Sequence, residues 1–275
     1  MDFHDVDRAL VEVEALAGTD WLKLCTDRLK EAGAAGPAVG RYGSIPPDRV
    51  PPLAYLWYRV KEERALAALN PGAGVSVNML RLGDLHGDLC LLRQCPGFSD
   101  WWPGFREGVD FPLASHQLAV AAGLMRRGWR VELGTRANDR RLNLSFSGMH
   151  VRAHCLLTAG WDAVISAVSE KRAAEPPLVL YLEASAMVGG KACGHTAAFV
   201  AQLSAAIRTP VAPSAVVFTS SIIRGANRPE VENAAEMWLN PARRLPFPEE
   251  LLLPARGSIK KERPAAAGNA VGAKK

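Results

Sequence analysis

"LASHQLAVAAGLMRRGWRVELGTRANDRRLNLSFSGMHVRAHCLL", residues 113–157, changes its hydrophobic period part-way along. Its first fifteen residues carry apolar side chains at helical spacing, and Gly128 follows in the position of a C-cap. Three short runs with the period of a strand come next: WRVEL (129–133), RRLNLSFS (140–147) and MHVRAHCLL (149–157). Ser147-Gly148 between the last two is a tight-turn signal, which predicts a hairpin.

The stretches downstream extend this α/β texture. WDAVISAVSEKR (161–172) places Trp161, Val164, Ile165 and Val168 on one helical face, and TAAFVAQLSAAI (196–207) predicts another helix. PLVLYLEA (177–184) and SAVVFT (214–219) read as buried strands, SAVVFT being the last. An order of one helix, three strands, then alternating helix and strand predicts an α/β fold with a mixed central sheet flanked by helices. Upstream, residues 7–33, 53–69 and 84–94 carry helical spacing, interrupted by the proline-rich SIPPDRVPP and by NPGAG at 70–74. CPGFSDWWPGF (95–105) reads as a connection. The expected division is a mostly helical region over 1–110, an α/β core over 111–255 and a disordered basic tail over 256–275.

Composition excludes several classes. In 275 residues, 48% are hydrophobic and 22% charged, as in ordinary globular proteins. No uninterrupted apolar run approaches the ~18 residues of a membrane span. The acidic opening MDFHDVDRALVEVE lacks the pattern of a signal peptide. Five irregularly spaced cysteines (25, 90, 95, 155, 193) predict reduced thiols and a cytoplasmic location. The net charge of +5 resides in the tail, where six basic residues face one acid; the first 255 residues hold 27 of each sign. One local excess remains. Arg126, Arg127, Arg130, Arg136, Arg140, Arg141 and Arg152 stand against only Glu132 and Asp139, a candidate nucleic-acid-binding surface because the guanidinium fork suits phosphate.

The arrangement over 111–254 resembles the core of the PD-(D/E)XK nuclease superfamily, the fold of many restriction and repair endonucleases. That family often has Glu where Gln117 stands, an Asp at the start of the first hairpin strand, and (D/E)-x-K on the second. Asp139 fits the first hairpin position. His154 falls in the place of the second acid and Leu156 in that of the lysine. PARRLPFPEE (241–250) resembles the close of some bacterial proteins of this type. The resemblance therefore implies a restriction-endonuclease-like fold with a vestigial site at Asp139, His154 and Gln117. A working site would need two carboxylates on Mg²⁺ and a lysine beside the attacking water. The expectation is a catalytically silent, nuclease-like protein, without cofactor, that binds nucleic acid or a partner protein. Asp139 is expected to be held by an arginine, Arg152 being the nearest candidate. The alternative is an active Mg²⁺-dependent nuclease in which Glu132 or Glu183 supplies the missing carboxylate.

Other motifs compete less well. GDLHG (83–87) resembles the first metal motif of calcineurin-like metallophosphoesterases. That family also needs a GDxxDR-type and a GNH motif, and REGVDFP and GANRPE are the nearest fragments. Asp84 and His86 are therefore expected to bind no metal. Cys193 and His195 with His154 and Cys155 lack a paired CxxC or HxxxH hook for zinc. VGGKACG (188–194) lacks P-loop spacing. Trp101-Trp102 is expected to lock a connection onto the core.

Overall fold

The computed structural model describes residues 1–31, 39–40, 43–44, 50–70, 72–157, 177–183, 213–224, 229–240 and 248–255. Among the described residues, six α-helices fall in the first half. Helix α1 (Phe3–Ala17) opens on a reciprocal capping box: Asp5 N–H donates to Asp2 at 2.9 Å and Asp2 N–H to Asp5 at 3.1 Å. The expected single helical segment over 7–33 is two helices, since α1 closes at Gly18 and α2 (Thr19–Glu31) begins at once. Helix α3 (Pro52–Ala68) matches its expected span. Helix α4 (Val77–Leu92) begins seven residues before the expected start at 84, because Ser76 caps it by accepting from Met79 N–H.

CPGFSDWWPGF is not a mere connection. Residues Phe98–Arg106 form helix α5 despite Pro103. Phe98, Trp101, Trp102 and Phe105 stand at i, i+3, i+4 and i+7 and stack with centroids 4.8–6.1 Å apart. That aromatic stripe outweighs one proline in a nine-residue helix. Helix α6 (Phe111–Arg126) is buried along most of its length, from Leu113 to Leu124.

The two-residue strands β1 (Val39–Gly40) and β2 (Gly43–Ser44) pair with each other. The central sheet contains β3 (Arg130–Leu133), β4 (Arg141–Phe146), β5 (Met149–Leu157), β6 (Leu178–Glu183), β7 (Ala215–Arg224) and β8 (Glu230–Leu239), in sequential order. Strands β3, β4 and β5 form an antiparallel meander; β5, β6 and β7 run parallel; β8 returns antiparallel. The fold is thus mixed α/β with a helical N-terminal region. At the β4–β5 turn both Ser147 (φ 49°) and Gly148 (φ 80°) are left-handed, the pairing required by a two-residue hairpin whose twist matches its strands. SAVVFT is not the last strand: β7 runs on to Arg224 and β8 pairs along its whole length. The helices expected over 161–172 and 196–207, and the tail from 256, lie outside the described residues.

Alternation sorts the sheet into two faces. Leu142, Leu144, Val151, Ala153, Cys155, Val179, Tyr181, Ala215 and Val217 are buried on the face toward α6, and they share one continuous core with α1 to α5. On the opposite face the last strands present buried Leu178, Leu180, Leu182, Val216, Phe218 and Trp238. The first three strands present polar groups there instead, apart from buried Leu156.

Residues 248–255, with a 3-10 turn at Glu249–Leu252, are clamped over α6. Trp129 Nε1 donates to the Leu251 carbonyl at 2.8 Å, Tyr181 Oη to that of Leu252 at 2.9 Å, and Ala255 N–H to that of Gly123 at 3.0 Å. Among the described residues no helix is long and apolar enough to cross a membrane, and Cys25, Cys90, Cys95 and Cys155 are free thiols. Tyr181→Phe keeps the ring and removes a buried donor, leaving the Leu252 carbonyl unsatisfied. Denaturant unfolding is expected to show a loss of about 1–3 kcal/mol.

Candidate nucleic-acid interface

Asp139 enters the site from a turn in which its N–H donates to the Arg136 carbonyl at 2.9 Å. Its carboxylate is gripped by Arg141, with Nε donating at 2.9 Å, a terminal nitrogen at 2.8 Å and the Arg141 N–H at 3.2 Å. Gly134 makes room for it, since a Cβ there would lie 2.5 Å from the Asp139 carboxyl carbon. The bidentate Arg141 guanidinium holds the Asp139 carboxyl below the usual carboxylate range, against the opposing effect of partial burial. The arginine expected to hold it was Arg152. That residue is half-buried on β5 opposite Asn143, while Arg141 stands two positions beyond Asp139, at the start of β4. The i, i+2 geometry wins because it needs no reach across the sheet.

His154 lies opposite Arg141 in the β4–β5 register, and its influence on Asp139 is the smallest of those that lower its pKa. Leu156 continues that face and is buried. Gln117 is fully buried in α6 with every polar atom engaged. Its amide nitrogen donates to the carbonyls of Asp139 at 2.9 Å and Arg141 at 3.0 Å, and its oxygen accepts from Trp101 Nε1 at 3.1 Å. Gln117 is therefore a brace that fixes the entry to the hairpin. The Trp101-Trp102 pair locks its segment to the core as expected, through this bond and its ring stacking.

The two candidate replacement carboxylates diverge. Glu132 is exposed opposite Asn143, whose Nδ2 donates to it at 3.4 Å. Glu183 lies in a row with Leu157 and Thr219, so alternation points it to the face opposite His154. Among the described residues no group of three or more His, Cys, Asp or Glu donors includes Asp139.

The seven arginines separate into kinds. Arg126, in the last turn of α6, pairs with Asp88 at 2.7 Å, and Arg141 is committed to Asp139. Arg130, Arg136 and Arg140 are exposed, as is Arg127 just beyond α6, and Arg152 is half-buried. By register, the outer face of β3, β4 and β5 carries Arg130, Ser145 and His150 in one row, Glu132, Asn143 and Arg152 in the next, then Arg141 and His154. Arg136 and Arg140 are exposed in the loop between β3 and β4, and alternation turns Arg140 away from the face that carries Arg141. Strand β3 forms the sheet edge, where exposed charges discourage edge-to-edge pairing.

GDLHG lies wholly inside α4, away from any strand end. Met1 packs against Gly83, where a Cβ would collide with its terminal methyl, so this glycine has a packing role. The Cys193, His195 and VGGKACG candidates lie outside the described residues. No family model matches this chain, and neither the curated proteins nor the solved structures contain a match.

Two predictions follow from the geometry. Gln117→Glu would set carboxylate oxygens against two carbonyl oxygens, with nothing to donate. Equilibrium unfolding at neutral pH should show a loss of roughly 2–4 kcal/mol, above the usual cost of one orphaned acceptor because two are affected. The second concerns acid. Because the folded pKa of Asp139 is lowered, its pair with Arg141 stabilises the protein above the unfolded value of about 3.9, and that stability is lost as pH falls toward the folded pKa. Arg141→Ala should reduce the difference in stability between pH 6 and pH 3, measured by urea unfolding.

Proposed function

We propose that this chain is a catalytically silent nuclease-fold protein that binds nucleic acid through the outer face of its β3–β4–β5 meander. The observation that carries the reading is the composition of that face: Arg130, Arg141 and His150 are exposed on it and Arg152 and His154 half-buried, against two acids, exposed Glu132 and Asp139, the latter already paired with Arg141. The order of helix α6, strand β3 and hairpin β4–β5 supports the nuclease-like reading of the fold. The positions matched to catalytic groups hold an ion-paired aspartate, a histidine, a buried leucine and a bracing glutamine. Such a set offers Mg²⁺ one carboxylate and supplies no lysine to the attacking water. Arg130, exposed on this face, and Arg136, exposed in the loop that joins β3 to β4, are the residues best placed to meet phosphates, and Arg152 and His154 lie deeper on the face of Arg130. A cytoplasmic location accords with the free thiols.

The test is binding and cleavage of labelled single- and double-stranded DNA and RNA by the full chain. Expected is low-salt binding to at least one of these, with log K falling linearly with log salt. Arg130→Ala and Arg136→Ala should each reduce the slope by about 0.7–0.9. No cleavage is expected with Mg²⁺ or Mn²⁺. Binding unaltered by these substitutions, or absent at low salt, overturns the interface and leaves a protein partner. Cleavage abolished by Asp139→Ala overturns the silent reading.

A further inference from the structure

Glu12, His86 and Cys90 meet between α1 and α4, on the side of the molecule that the proposed interface does not use. His86 and Cys90 stand at i, i+4 on α4, so both side chains project from one helical face, and Glu12 reaches them from α1. His86 Nε2 lies 3.0 Å from Glu12 Oε2 and 3.2 Å from Cys90 Sγ, while Cys90 Sγ lies 3.5 Å from the same Glu12 oxygen. Three donor atoms of the types zinc prefers thus enclose one point.

One feature distinguishes this cluster from a nucleophilic triad. In a Cys–His–acid triad the acid orients one ring nitrogen and the other faces the sulfur. Here carboxylate and sulfur converge on the same Nε2, so the acid cannot act through the ring. Convergence is, however, what a metal requires. With zinc–sulfur near 2.3 Å and zinc–nitrogen and zinc–oxygen near 2.0–2.1 Å, tetrahedral geometry spaces sulfur about 3.5 Å from the lighter donors and those about 3.3 Å apart. The observed 3.0, 3.2 and 3.5 Å need an expansion of a few tenths of an ångström at most.

We propose that Glu12, His86 and Cys90 form a zinc site, with water as the fourth ligand. Its side toward solvent is open, since the Glu12 and His86 side chains are 43% and 17% exposed. Binding releases the Cys90 thiol proton to solvent and joins thiolate, imidazole and carboxylate to one dication. The metal clips α1 to α4 independently of any nuclease chemistry. Asp84, the acid of GDLHG, is exposed on the same helix and lies outside the donor set.

The experiment uses the full chain, stripped by a chelator, titrated with Zn²⁺ against a chromophoric competitor and separately with Co²⁺. Expected are one equivalent of zinc, a higher melting temperature with zinc, and a cobalt–thiolate charge-transfer band. Cys90→Ser and His86→Ala should each weaken zinc binding at least about a hundredfold, beyond the 10- to 100-fold typical of outer-shell changes. Asp84→Ala should leave it unchanged. Zinc should also protect Cys90 of the wild-type protein from alkylation, mapped by mass spectrometry, a readout that needs no variant to fold. Absence of zinc uptake by the wild type overturns the site. So does Cys90 alkylation at the same rate with and without zinc, which would place any bound metal elsewhere.

Discussion

Gln117 makes two hydrogen bonds to the strand that follows Asp139, and much of the structure depends on them. The residue is fully buried, so each polar atom must find a partner inside the protein. Its amide nitrogen takes the Asp139 and Arg141 carbonyls just where β4 begins, and its oxygen takes the Trp101 indole from α5. One side chain thereby ties the helical region, α6 and the entry to the hairpin together. In extended backbone the i and i+2 carbonyls point the same way, so one amide reaching both holds the chain extended at Asp139 and Arg140. With that backbone fixed, the Arg141 side chain folds back on Asp139, and Cys155 N–H reaches the Arg140 carbonyl at 2.8 Å to extend the β4–β5 ladder.

The elements legible in the sequence were those whose local signals agree with their burial. Residues 113–157 are the clearest case: helix, Gly128 cap, three strands and the Ser147-Gly148 turn all occur where their patterns indicate. The exceptions have separate physical causes. Strand β8 reads EVENAAEMWL, and Glu, Asn and Ala are poor strand formers. Its ten-residue pairing with β7 supplies the hydrogen bonds that local propensity does not, and alternating Glu230, Glu232 and Glu236 was the available signal. Helix α5 was obscured by Pro96, Gly97, Pro103 and Gly104, although its aromatic residues keep helical spacing. The break between α1 and α2 comes from Gly18 alone, within a stretch whose apolar spacing continues on both sides.

Site residues were less legible because their roles depend on atoms distant in sequence. Whether Gln117 stands for a catalytic glutamate or serves as a brace depends on two carbonyls more than twenty residues away. Asp139 was assigned a partner across the sheet, but its partner is its near neighbour Arg141. The seven arginines look like one cluster in sequence. Their side chains instead divide between ion pairs at Arg126 and Arg141 and open positions at Arg130, Arg136 and Arg140. Sequence proximity gives charge density, whereas burial and pairing determine how much of that charge can reach a phosphate.

The two polar clusters also differ in how their charge is balanced. Asp139 has a guanidinium bonded to both carboxylate oxygens, so adding a dication there would require breaking a bidentate pair. Glu12 has an imidazole and a thiol as its bonded partners, and the thiol can surrender a proton to a metal. The Asp139 carboxylate is thus fully paired without a cation, while the helical cluster is held by hydrogen bonds that converge on His86 Nε2 and one Glu12 oxygen. The GDLHG pentapeptide lies within α4, and of its residues only His86 belongs to the cluster. That histidine pairs with Cys90, one turn later in an HxxxC spacing, and the third group, Glu12, lies 74 residues upstream on α1.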